Sequence, residues 1–162
     1  MLKQIFIATA GLIFSASAFA QDASQIAKVQ TGQSCPSCNL FQADLAYLDL
    51  KNVDVSRSRL RQSDMQLSTF DNWDLSNANL SIANLFGVRF NDSNFSGADL
   101  SRATLVGAYF GSSILEGANL TDANISGADL SIARGLTQHQ LDRACGDNST
   151  MLPKGLSVKA CG

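Results

Sequence analysis

From Leu40 to Leu130 every fifth residue is apolar, nineteen positions without an exception. A helix turns about 100° per residue, so steps of five would scatter these side chains round its axis. A straight strand sends successive members of an odd period to opposite faces. Neither buries them together, so the backbone must turn once per five residues, always toward the same side. The position two before each large residue agrees. It is Ala43, Ala78, Ala83, Ala98, Ala103, Ala108, Ala118, Ala123 and Ala128, or Ser58, Ser63, Ser68, Ser93 and Ser113. Residues two apart in a short extended segment share a face, so a small and a large side chain point inward together. The outward positions hold mainly Asp, Asn, Ser, Thr and Gly, residues that favour turns or the surface. The pattern predicts an all-β solenoid whose units bury their apolar face only by stacking on neighbours.

The stretches SGADLSRATL and EGANLTDANISGADLS resemble the pentapeptide-repeat family, whose pattern is A(D/N)LXX. The resemblance runs over about 39–134. It implies a right-handed, quadrilateral parallel β-helix, four pentapeptides to a coil and about five coils, stacked about 4.8 Å apart. Residues twenty apart then form columns. One reads Leu50, Phe70, Phe90, Phe110 and Leu130, which places three rings in stacking range. Leu48, Val53, Trp73 and Val88 depart from the small inward position. Trp73 demands local widening or a bulge, or an exposed indole that binds something. Lys51, Arg57, Arg59 and Arg61 stand where Ser or Gly is usual, so the first two coils are expected to be less regular than the rest.

Open coil ends invite association unless covered. At one end Asp22 and Gln25 have capping-box spacing, Ile26 and Val29 share a helical face, and Gly32 terminates. At the other, Thr137 and Gln140 form a capping box with Leu136 and Leu141 as staple, and Gly146 is the expected stop. These predict short capping helices in an N-terminal segment, 21–38, and a C-terminal segment, 135–162. The four cysteines, Cys35, Cys38, Cys145 and Cys161, allow three pairings. About five coils separate Cys35 and Cys38 from Cys145 by roughly 20 Å, beyond disulfide reach. Pairing Cys145 with Cys161 avoids that and clips the tail, although the tail is long enough to reach back. The CPSC stretch reads as structural, with redox or metal chemistry as alternatives.

Residues 1–20 have the order of a signal peptide: Lys3, an apolar run from Ile5 to Phe14, then Ala18-Phe19-Ala20. The apolar run is short for the roughly 20 residues of a membrane span. Cleavage before Gln21 predicts an exported protein, periplasmic or secreted, with no membrane attachment, in a compartment where disulfides persist.

The formal net charge of −2 offers no basic footprint for nucleic acid. No nucleophile motif, phosphate loop, cofactor motif or metal-ligand set emerges. His139 is the single histidine and reads as a solvated residue of the capping helix. Asp44 with Asp64, and Asp54 with Asp74, could hold a cation one coil apart, but neighbouring arginines and water screen them. The chain therefore reads as a non-enzymatic exported scaffold or protein-interaction module. Some relatives in the family are acidic DNA mimics that bind type II topoisomerases and confer quinolone resistance. The leader argues against that reading, as do eleven acidic residues set against seven basic ones over 39–134. One outward strip is apolar: Tyr47, Leu67, Phe86 and Val106 on successive coils. It predicts an interface for a partner protein or a homodimer, unless the chain's own cap or tail covers it.

Overall fold

The computed structural model describes residues 21–162; the leader pattern of 1–20 lies outside them. The five-residue period becomes a parallel β-helix. Four short strands, β1 (Asp49–Lys51), β2 (Thr69–Asp71), β3 (Arg89–Asn91) and β4 (Tyr109–Gly111), form one sheet in that order. Leu50 pairs with Phe70, Phe70 with Phe90 and Phe90 with Phe110, all parallel. Isolated bridges carry the same twenty-residue register over the other faces, from Asn39 with Arg59 to Ile114 with Arg134.

The five-residue positions close the core, and every one from Leu40 to Leu130 is fully buried except Leu50. The Phe column stacks as expected, with ring centroids 5.7 Å apart for Phe70 and Phe90 and 5.6 Å for Phe90 and Phe110. Phe95 meets Phe90 edge-on at 4.7 Å.

The small inward position also governs the backbone. Where it is Ala, the corner closes on itself: Ala43 N–H donates to the Leu40 carbonyl at 3.0 Å, and Ala78 to Leu75 at 3.0 Å. At Cys38, Leu48 and Trp73 a serine of the next coil inserts into the turn instead. Ser93 Oγ accepts from Trp73 N–H at 3.0 Å and donates to the Phe70 carbonyl at 3.1 Å. Ser68 does the same between Leu48 and Leu45, at 2.9 and 2.8 Å. Ser58 does so between Cys38 and Cys35, at 3.0 and 2.9 Å. Buried backbone groups freed by a wider turn thus find a partner twenty residues on.

This settles the Trp73 alternatives. The indole is 1 % exposed, which overturns the exposed-indole reading. Its ring lies 4.2 Å from Phe70, and Nε1–H donates to the Leu50 carbonyl at 3.0 Å. The widening takes the form of a turn bridged by Ser93. Nor do the first coils lose the register, because the bridges of Asp44 with Asp64 and Asp54 with Asp74 keep it. The irregularity there is limited to partly exposed Leu48 and Leu50.

Ser63 is the informative exception. The corner one coil before it is already closed by Ala43 on Leu40, so its hydroxyl has nothing to bridge. Its Oγ is buried with no hydrogen-bond partner. Alanine stands at the same point of the register at 43, 83, 103 and 123. Ser63→Ala is therefore expected to stabilise the protein by about 1 kcal/mol, by removing an unpaired buried polar group. Ser93→Ala should destabilise it by about 1–3 kcal/mol, by orphaning two backbone groups. Urea midpoints at constant m-value check both.

Helix α1 (Ala23–Gln30) lies over the first coil, with Ile26 and Val29 buried. Asp22 is its N-cap, accepting from Ser24 and Gln25 N–H. The expected Gln25 half of a capping box is replaced: Gln25 Oε1 accepts from Asn39 N–H at 2.6 Å and ties the helix to the first coil. Gln30 Nε2 reaches the Asp44 carbonyl at 2.7 Å. At the other end α2 (Gln138–Leu141) carries the full Thr137–Gln140 capping box. Gln140 Nε2 donates to the Leu115 and Ala118 carbonyls at 2.8 and 2.9 Å, filling acceptors at the coil end.

Helix α2 stops at Leu141, before Gly146, which has a different role. After α2 the chain rejoins the ladder: Cys145 bridges to Asn124, Met151 to Asp129, and Gly146 to Ala160. A Cβ at Gly146 would stand 2.7 Å from Thr150 Oγ1 and 2.8 Å from Val158 Cγ1. Glycine is required there by close approach, not as a helix stop.

Candidate functional site

Each coil leaves its i+1 and i+2 residues at a corner, in a turn. The corner after Leu45 carries Ala46 and Tyr47, the next Gln66 and Leu67, then Phe86 and Gly87, then Val106 and Gly107. The parallel register stacks these corners into a ridge. Tyr47 is 70 %, Leu67 51 % and Phe86 45 % exposed; Val106 is half-buried. Neither α1 nor the C-terminal tail covers the three large side chains. The i+2 backbone is left-handed, with φ of 60° at Tyr47 and 54° at Leu67, while the equivalent positions 87, 107 and 127 are glycine. Tyr47 and Leu67 thus hold a conformation that favours Gly. Leu67 leans along the ridge, its Cδ2 lying 2.8 Å from where a Gly87 Cβ would stand.

Charged groups flank the ridge. On one side Asp44 and Asp64 bridge through their backbones. Asp64 accepts from Gln66 N–H, Gln66 Nε2 and Asn84 Nδ2 at 3.2, 2.9 and 3.0 Å, so its lone pairs are engaged by the chain itself. On the other side Asp49, Thr69 and Arg89 follow in register. The Arg89 guanidinium lies 4.9 Å over the Tyr109 ring. Beyond, the Asn91 side-chain amide, with help from Lys51 at 3.2 Å, holds the Asp71 carboxyl below its ordinary value.

The structure pairs Cys35 with Cys38, Cα atoms 5.6 Å apart, and Cys145 with Cys161, at 4.8 Å. Cys35 is 4 % exposed. It takes the place in the register that holds Val55, Leu75, Phe95 and Leu115, and Cys38 that of Ser58 and Ala78. The first disulfide therefore lies inside the first turn of the solenoid. The second joins Cys145, on the ladder, to the residue after the Ala160 bridge. Asp54 Oδ1 accepts from Ser56 N–H at 2.8 Å, an ordinary turn contact, and among the described residues no cluster of three or more His, Cys, Asp and Glu could hold a metal.

A cleft of about 370 Å³ beside α2, lined by Gly117, Leu120, Thr137, His139, Gln140 and Arg143, escaped the sequence reading. It forms where α2 departs from the ladder, and no spacing in the sequence announces that. His139 is exposed at its edge.

The profile of the family described as pentapeptide repeats matches eight copies, over residues 38–72, 56–92, 67–102 and 93–131. The chain belongs to the pentapeptide-repeat family. No curated protein matches it in sequence. Among solved structures it is similar to a trypsin-treated form of QnrB1, titled a plasmid-mediated fluoroquinolone resistance protein, at 18% identity over 76% of each chain and a TM-score of 0.48. It is also similar to a pentapeptide repeat protein from Nostoc PCC 7120, at 28% identity over 85% of this chain and 88% of that one, with a TM-score of 0.32. A third is a pentapeptide repeat protein of the Arabidopsis thaliana thylakoid lumen, at 24% identity over 75% and 83%, TM-score 0.28.

Proposed function

We propose that the protein is an exported, non-enzymatic scaffold that engages a protein through the corner ridge of Tyr47, Leu67, Phe86 and Val106. The observation that carries this reading is the exposure of three large apolar side chains on successive coils, two of them at positions where glycine would serve the backbone better. Isolated exposed apolar residues are ordinary; a contiguous row marks a contact surface. Aromatic residues at such a surface supply most of the binding energy, which assigns Tyr47 and Phe86 as anchors. The two helices at the coil ends act as caps, closing ladder edges against unwanted pairing.

Export rests on the leader pattern of 1–20 and on four cysteines placed for two disulfides, a usage suited to oxidising compartments. No helix among the described residues is long and apolar enough to cross a membrane. A buried Cys35 favours a structural role for the first disulfide over thiol exchange. Arg57, Arg59 and Arg61 on the early coils interrupt the acidic field that imitation of DNA requires.

The test is the double change Leu67→Ser with Phe86→Ser. It should leave the circular dichroism and melting temperature within a few degrees of the original, and abolish capture of the partner from the exported fraction. Capture that persists with the fold intact would refute the ridge as the interface.

A further inference from the structure

From the chemistry of the ridge we infer that its partner is a second copy of this chain, packed antiparallel about a twofold axis that passes through Leu67. This rests on the ridge being an interface, the reading proposed above, and adds the identity and geometry of the partner.

The register fixes what such an axis would bring together. With the dyad on the Leu67 coil, residues one coil below face residues one coil above in the second copy. Tyr47, 70 % exposed, then faces Gly87, over which Leu67 leans, so its ring meets the Leu67 side chain of the other copy. Ala46 faces Phe86. At this second point a large group meets a small one, and both relations are reciprocal, as an isologous contact demands. Leu67 meets its own copy on the axis.

The flanking charges choose the direction. Asp49, Thr69 and Arg89 lie on one line along the solenoid, one coil apart, by direct pairing of β1, β2 and β3. Thr69 is on the dyad level, so Asp49 of each copy faces Arg89 of the other, two complementary pairs. Asp49 and Arg89 are both exposed. The parallel alternative, with the axis along the solenoid, sets Asp49 against Asp44 of the other copy, like charge on like. The antiparallel packing brings Asp64 toward its copy on the far flank. That carboxylate is partly buried and already accepts from Gln66 and Asn84. Such complementary charges chiefly set orientation and specificity. Val106 lies two coils beyond the dyad, with no counterpart below Tyr47, so it sits at the rim.

The experiment is sedimentation of the full mature chain from about 10 µM to about 1 mM, with two kinds of variant. A concentration-dependent dimer is expected. Asp49→Arg and Arg89→Asp, each checked for an unchanged fold by circular dichroism, should weaken it about tenfold or more at low salt. The double reversal should restore most of the loss. Leu67→Cys, being on the axis, should give a covalent dimer under mild oxidation, whereas Gln62→Cys at another corner should not. A monomer throughout the range overturns the second copy as partner; if Leu67→Ser with Phe86→Ser still abolishes capture from the exported fraction, the ridge interface stands without it. A dimer that withstands both single reversals and is not cross-linked through position 67 overturns the geometry.

Discussion

Phe90→Asp is expected to leave no folded protein: insoluble on expression, or soluble with the far-ultraviolet signature of an unfolded chain. Phe90 is fully buried. Its ring is in contact distance of Phe70, Phe95 and Phe110, with centroids at 5.7, 4.7 and 5.6 Å. Truncation of a buried Phe alone costs about 3–5 kcal/mol. A carboxylate in its place would add the desolvation of a charge with no cation inside the coil, several kcal/mol more. Against a typical stability of about 5–15 kcal/mol, the sum is decisive. Phe90→Leu keeps an apolar group and should fold with a loss of about 1–2 kcal/mol. A folded aspartate variant with an unchanged melting temperature would remove Phe90 from the core and break the column assignment with it.

The column was legible because it depends on one regularity. A chain that turns every five residues must return to the same side after twenty, so Phe70, Phe90 and Phe110 coincide without knowledge of any coordinate. The corner ridge was legible for the same reason, since equal steps carry Tyr47 and Leu67 to the same edge. What escaped is what breaks the period. Helix α2 inserts one extra residue, so Cys145 rather than Ala144 bridges to Asn124, and Gly146 becomes a ladder residue where helix rules make it a stop. Gln25 and Asn39 are fourteen residues apart, and local capping rules do not see the bond between them. The serine code was half-visible. Ser at the small position looked like a substitute for Ala, but its hydroxyl answers the residue twenty earlier, Trp73 for Ser93 and Leu48 for Ser68.

Trp73 joins these levels and carries the second large effect. It occupies a position held by small residues in most coils, yet it is buried and satisfied. Nε1–H donates to the Leu50 carbonyl at 3.0 Å, the same twenty-three-residue reach by which Ser93 Oγ serves Phe70 and Ser113 Oγ serves Phe90. The indole thus supplies the donor half of the serine hydroxyl's role and also fills space beside Phe70. Trp73→Ala should cost about 3–5 kcal/mol for the cavity and about 1–3 kcal/mol for the orphaned carbonyl, enough to unfold a marginal domain. Trp73→Phe separates the two: it keeps most of the packing and loses the donor, so about 1–3 kcal/mol is expected. Urea unfolding followed by circular dichroism measures both. Trp73 is the single tryptophan, so in the parent protein its emission should be blue-shifted and move red in step with the loss of β signal. Emission already at the solvent-exposed position in the native state, or a Phe variant as stable as the parent, would overturn the bridging role given to the indole.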